Sequence, residues 1–231
     1  MAERTETNLF HVFGYGSLMF EPEAPQHVVN ILPARLKGYR RAFCKASRAR
    51  GCARDESFNA FPGLHGGAFA RPGFNLSLVL GTLAEPGAAI DGMILFYPTR
   101  VRSHVITALD RREGYNPIHP IDNHYIRRRH TIMFLSTQFN AEAIVYFWDE
   151  NPDGDNHLGE LEIDTVARAL INATPRRPDG GDALGVHYLE GVRDTLRGAS
   201  LRDPYLEEVA AAIHRLPGPW VERVKPPHRA A

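Results

Sequence analysis

The apolar pattern of this 231-residue chain changes character in its last third, and that change limits the folds open to it. Up to Trp148, short runs rich in aromatic and β-branched residues recur. They are Leu9 to Tyr15, Ala34 to Phe43, Ser77 to Ala84, Gly92 to Tyr97, Tyr125 to Leu135 and Glu142 to Trp148. Runs of this length between glycines, prolines and polar clusters read as strands. Gly38 is expected to break the second run, and Glu85 to Asp91, with its Pro-Gly pair, to turn the chain between the third and fourth. Arg48 to Asn75, Gly-rich and holding Pro62 and Pro72, reads as a long loop of the kind that is usually functional or disordered. One helical stripe, Val101, Val105, Ala108 and Leu109, follows Thr99 as a candidate N-cap and is expected to end near Asp110.

After Trp148 the period becomes helical. Ile163, Val166, Ala167, Leu170 and Ile171 form one stripe, and Val186, Leu189, Val192 and Leu196 another. Asp203-Pro204 places an N-cap before a proline at the first helical position and opens a third helix through about Leu216. Strands first and helices last is an α+β pattern in one domain, not the strand-helix alternation of a doubly wound sheet. The tail from Pro217 is expected to be irregular.

Lys+Arg and Asp+Glu are both 27, so the formal charge is zero, which argues against a protein that coats a nucleic acid or an anionic membrane. No run of about 18 apolar residues is present to span a membrane. Met1 to Asn8 is polar and lacks the apolar core of a secretory signal. Two cysteines, Cys44 and Cys52, make no disulfide framework, and the chain is expected to be reduced and cytoplasmic. Cys44, on a strand, is expected to be a small buried hydrophobe.

Four stretches could carry chemistry. Phe13-Gly14-Tyr15-Gly16-Ser17-Leu18 ends a buried strand in glycines, which let the backbone turn sharply and expose N–H groups to an anion. It is no Walker loop, because no Lys-Ser/Thr follows, and no dinucleotide fingerprint, because position 19 is Met. On composition alone a plain tight turn is the simpler reading. Leu109-Asp110-Arg111-Arg112-Glu113-Gly114-Tyr115 ends a helix at a glycine. A glutamate there can enter a cleft and serve as general base and acid, or both acids can simply pair with Arg111 and Arg112. Tyr125-Ile126-Arg127-Arg128-Arg129-His130 puts Arg127 and Arg129 on the strand face of Tyr125, and reads most simply as a solvated sheet face. His119, Asp122, His124 and His130 match no zinc spacing, so no metal site is expected. Tyr146 fits either plain core or a hydroxyl aimed into a cavity.

In order, these pieces resemble the γ-glutamylcyclotransferase superfamily, and most closely its ChaC-like branch. Val12 to Met19 is similar to that family's YGSL signature, and Arg40 to Cys44 with Ser47, Arg50 and Gly51 to its second block. Leu109 to Glu113 is similar to the block that carries the catalytic glutamate. Asn151-Pro152, Leu158-Gly159, Tyr188-Leu189 and Asp203 with Tyr205-Leu206 resemble its later stretches. The likeness spans residues 10–216 and implies one domain there, followed by the tail 217–231. The implied fold is α+β, a small mixed β-barrel flanked by helices with a helical C-terminal third. Two stretches depart from the family pattern: the Gly-rich segment Phe61 to Phe74, and an insert, Asn116 to His124. Both lie where the resemblance places substrate contacts.

The resemblance implies cleavage of glutathione, or a related γ-glutamyl compound, to 5-oxoproline and a free amine. The substrate's own α-amine is the nucleophile, so no metal or cofactor is implied. Glu113 is implied as general base and acid. Tyr15, Gly16, Ser17 and Leu18 are implied to hold the substrate, with Tyr125 and Tyr146 orienting it. Small γ-glutamyl molecules are the implied partners, not nucleic acid or membrane. The alternatives are a cyclotransferase for another γ-glutamyl amine or amino acid, and a non-catalytic ligand-binding module on the same fold.

Overall fold

A computed structural model describes residues 8–53, 74–118, 125–148, 158–174 and 185–216, with the backbone alone for 47–53 and 74–76. The chain divides into two compact units. One comprises Met1–Arg41 with Gly81–Gly154, the other Ala42–Leu80 with Asp155–Ala231.

The strands are β1 (Leu9–Gly14), β2 (Asn30–Ala53), β3 (Phe74–Pro98), β4 (Tyr125–Phe134) and β5 (Asn140–Trp148). The helices are α1 (Arg102–Glu113), α2 (Ile163–Asn172), α3 (Val186–Gly198) and α4 (Pro204–Arg215). The strands close into a barrel in the order β1-β3-β2-β4-β5. β1 runs antiparallel to β3 from Leu9↔Pro98 to Gly14↔Met93, and parallel to β5 at Val12↔Ile144. β4 pairs antiparallel with β5 from Tyr125↔Trp148 to Met133↔Asn140, and with β2 at Ala34↔Phe134. One parallel seam among antiparallel ones makes the barrel mixed, and closure leaves no row of unpaired edge groups. This is the α+β barrel that the resemblance implies.

In the first unit, Val12, Phe13, Ile94, Leu95, Tyr97, Val105, Leu109 and Val145 are buried. Each large apolar side chain removed from water contributes about 1.5–3 kcal/mol. Two glycines set how closely the backbones pack. A Cβ on Gly92 would lie 2.4 Å from the Gly14 carbonyl oxygen, and one on Gly14 would lie 2.9 Å from Leu18 Cβ. In the second unit, Val166, Leu170, Val209 and Ile213 are buried on α2 and α4. Asp203 caps α4 by accepting from Leu206 N–H at 3.3 Å, with Pro204 at the first position. Arg193 pairs with Glu207 at 2.7 Å, and Arg197 reaches the same oxygen at 3.1 Å. The guanidinium hydrogen bond from Arg193 holds the Glu207 carboxyl below its usual range. Cys44 is buried, as expected of a small hydrophobe on a strand.

Five expectations on local structure are corrected. β2 does not break at Gly38, because glycine takes φ +84° there and bends the strand without ending it. Glu85 to Asp91 is not a turn between two strands, since β3 runs through it. Pro86 and Gly87 lie on an exposed stretch where a missing N–H leaves no buried acceptor, and Gly87 absorbs the bend at φ +88°. Arg40 Nε fastens this stretch by pairing with Glu85 at 2.6 Å. α1 ends at Glu113, past Asp110, and stops at Gly114 in the left-handed conformation, φ +65°. Thr99 opens a 3-10 turn ahead of the helix, and Val101 occupies the N-cap position. The Gly-rich loop begins later and ends earlier than expected, because 48–53 and 74–75 are strand; its centre, like the tail from Pro217, lies outside the described residues. No helix among the described residues is long and apolar enough to cross a membrane.

Candidate active site

The site is built in the first unit, where β1 ends against the C-terminus of α1. After Gly14 the chain enters a 3-10 turn, Ser17–Met19, closed by Met19 N–H to Gly16 O at 3.1 Å and Phe20 N–H to Ser17 O at 3.1 Å. The N–H groups of Ser17 and Leu18 at the head of this turn donate to no acceptor among the described residues. Unspent donors at such a position suit a carboxylate or an oxyanion. Gly16 has φ −129°, so the turn does not depend on a left-handed glycine there. The glycine that matters is Gly14, whose missing Cβ lets Leu18 approach.

Buried Arg41 holds the turn from below. Its Nε donates to Tyr15 O at 2.9 Å and its Nη2 to Asp91 O at 2.7 Å. The Tyr15 hydroxyl donates to Tyr146 O at 2.8 Å. Tyr15 and Leu18 are both buried. Asp91 is in turn gripped by Arg35, with two bonds of 2.6 and 2.8 Å.

The end of α1 supplies the charged groups. Arg112 joins helix to turn: Nη1 donates to Glu21 O at 2.7 Å and Nη2 to Ser17 Oγ at 3.0 Å. The same guanidinium lies 3.5 Å from Glu23 and 3.7 Å from Glu21. Its Nε lies 3.7 Å from Oε1 of Glu113, a carboxylate 15% exposed. Glu113 is therefore held beside a cation that also grips the turn.

Asp110 does not pair with its helical neighbours, as the sequence allowed, because its place on α1 faces the sheet. It accepts from the Tyr146 hydroxyl at 2.7 Å and forms an ion pair with Arg127. Arg127 stacks over the Tyr115 ring at 4.9 Å. Burial, and then the Asp110 carboxylate, push the Tyr146 phenol well above its ordinary range, so it stays a donor. Burial also pushes Tyr97 up to about 12, and its hydroxyl donates to Glu23 O at 2.7 Å.

The structure thus brings Gly16, Ser17, Leu18 and Glu113 to one place through Arg112. Tyr146 serves Asp110. Tyr125 is buried edge-on against Trp148, with ring centroids 5.6 Å apart. Arg127 is not part of a solvated face, whereas Arg129 forms an exposed pair with Glu142 at 2.9 Å. His130 lies edge-on to Tyr39 and Phe147. His119, Asp122 and His124 lie outside the described residues, among which no cluster fit to hold a metal ion occurs. Sequence reasoning missed Arg41, Asp110 and Arg112 as organisers. Arg41 carried a faint signal: it is the charge that directly precedes the apolar run Ala42-Phe43-Cys44.

Comparisons with known proteins bear on this geometry. The family model described as ChaC-like protein matches residues 10–216. Comparison with curated proteins gives no match. Among solved structures, the chain is similar to the selenomethionine-labelled γ-glutamyl cyclotransferase specific to glutathione from yeast. That likeness has TM-score 0.65 and 16% identity, over 90% of this chain and 96% of the yeast one. A second crystal structure of the yeast protein gives TM-score 0.58 and 16% identity, over 90% and 99% of the two chains. At such identity the likeness is one of fold.

Proposed function

The chain belongs to the ChaC-like protein family, and from that membership we propose that it is a γ-glutamyl cyclotransferase acting on glutathione or a related γ-glutamyl compound. The observation that carries this reading is the Arg112 guanidinium, 3.0 Å from Ser17 Oγ and 3.7 Å from the Glu113 carboxylate. It joins a proton-transfer group to a turn with unspent N–H donors.

The chemistry follows from those parts. The substrate binds as an α-ammonium, and Glu113 takes one of its protons. The freed amine attacks the γ-carbonyl carbon within the same molecule. This ring closure is intramolecular, so holding the chain in a reactive conformer supplies a large part of the acceleration, with effective molarities of about 10⁵ M or more. The N–H groups of Ser17 and Leu18 hold the α-carboxylate or the developing oxyanion. Collapse breaks the γ-amide C–N bond as Glu113 returns its proton to the leaving amine, and the surplus proton on the new ring nitrogen passes through the freed Glu113 carboxylate to that amine, which departs as an ammonium. The products are 5-oxoproline and, from glutathione, cysteinylglycine. No external nucleophile, metal or redox partner enters the balance. The Asp110–Tyr146–Arg127 network braces the helix end that carries Glu113.

The test is incubation with glutathione and with a panel of γ-glutamyl amines and amino acids, assayed for 5-oxoproline. Release of 5-oxoproline equimolar with the amine is expected, and the best substrate names the leaving group. Absence of 5-oxoproline from every member, with ligand binding retained, overturns the enzyme in favour of a binding module.

A further inference from the structure

A cavity of about 620 Å³ opens between α1 and the β4–β5 sheet. It is distinct in chemistry from the site at Glu113. Arginines contribute much of its wall: Arg100 from the 3-10 turn ahead of α1, Arg102 from α1, and Arg127, Arg128 and Arg129 from β4, where Arg127 and Arg129 share the strand face of Ile144 and Arg128 belongs to the opposite face. No acidic residue is among its described lining. Thr99, Ser103 and Thr107 add three hydroxyls, and Ile106 and Ile144 an apolar portion of wall.

The charges there are not balanced internally. Arg127 is neutralised by Asp110. Arg129 pairs with Glu142, but both side chains are about 60% exposed (61% and 59%), where an ion pair contributes little and exchanges readily. Arg100 and Arg102 form no ion pair among the described residues. Arg102 is steadied instead over the Phe10 ring, at 5.7 Å from its centroid. In a chain with a formal charge of zero, such a local excess is a departure from the average surface.

Guanidinium groups pair with phosphate through two parallel N–H bonds, and threonine and serine hydroxyls complete its hydrogen bonding. Cavities of about 300–1,000 Å³ accept small molecules. We propose that this cavity binds a phosphorylated small molecule carrying at least two phosphate charges and an uncharged ring, of the class of a nucleoside di- or triphosphate. The phosphates meet the arginines and hydroxyls, and the ring meets Ile106 and Ile144. The proposal does not rest on the cyclotransferase reading, because its readout is binding.

Calorimetric titration of the full chain with ADP, pyrophosphate and citrate, in magnesium-free buffer at about 0.15 M salt, tests it. Saturable one-to-one binding of ADP is expected, with pyrophosphate weaker and citrate weaker still. The double variant Arg100→Glu with Arg102→Glu should lose at least tenfold in ADP affinity. Ser103→Asp with Thr107→Asp, at exposed helix positions that do not endanger folding, should lose as much. Arg202→Glu and Glu113→Gln should bind as the unaltered chain does. No saturation by ADP, equal affinity in both double variants, or a preference for citrate overturns the proposal.

Discussion

Nη2 of Arg112 donates to Oγ of Ser17 at 3.0 Å, across 95 residues of sequence. That bond holds the last turn of α1 against the turn after β1, with Glu113 beside the same guanidinium. A lysine is a point charge and cannot reach Ser17, the Glu21 carbonyl and Glu113 together. Arg112→Lys should therefore lower kcat/KM for 5-oxoproline release by about tenfold or more, and cost about 1.5–3 kcal/mol for a lost charged hydrogen bond. Steady-state assay and denaturant titration read the two effects.

Glu113→Gln preserves shape and removes the base. Turnover should fall by about 10²-fold or more, while thermal unfolding stays close to that of the unaltered protein. Full retained turnover would remove Glu113 from the mechanism.

Alkaline stability should report the buried phenols. Folded Tyr97 titrates at about 12 and unfolded tyrosine at 10.0, and Tyr146 is shifted in the same direction. A group whose folded pKa is raised keeps its proton better when folded. Its contribution is whole below pH 10 and is lost as pH climbs through the folded value. Unfolding free energy measured by urea titration should fall between pH 10 and 12, and Tyr97→Phe should flatten that fall. An unchanged slope would show that Tyr97 does not contribute.

Tyr146→Phe removes the donor to Asp110 Oδ1, 2.7 Å away, and leaves that oxygen short of a partner. A loss of about 1–3 kcal/mol is expected. If the network positions Glu113, kcat should fall with KM nearly unchanged. A stability loss with both constants unaltered would confine the network to structure.

Gly92→Ala places a methyl group 2.4 Å from the Gly14 carbonyl oxygen and 2.8 Å from Phe13 Cζ. The nearest obstacle is backbone and cannot swing aside. Destabilisation of about 1–3 kcal/mol or more is expected from overpacking, seen as a lowered Tm. Gly14→Ala meets the Leu18 side chain at 2.9 Å and should also disturb the anion-facing turn, lowering activity more than stability.

Much of the fold was legible because its signals are local. Asp203-Pro204 marked the start of α4 through a cap and a fixed φ, which need no distant partner. The stripes of α2 and α3 were legible for the same reason. Gly38 and Pro86-Gly87 misled because the signals of a break and of a bend are the same in sequence. Only barrel pairing distinguishes a strand that ends from one that curves. At the site, the motifs around Ser17 and Glu113 were visible, but the groups that organise them were not.

What the sequence determined by itself was the kind and order of the elements, the closing glycine of α1 and the family to which the chain belongs. Hydrophobic period, capping and motif order reside in neighbouring residues. Tertiary structure alone decided that Asp110 answers to Tyr146 and Arg127 and not to the arginines beside it, and that Arg112 joins Glu113 to Ser17. It also decided that Arg100, Arg102, Arg127 and Arg129, spread over 30 residues of sequence, line one cavity. Hydrogen bonds and charge pairs act over a few ångströms, and closing the barrel is what brings residues 36, 95 or 131 positions apart within that reach.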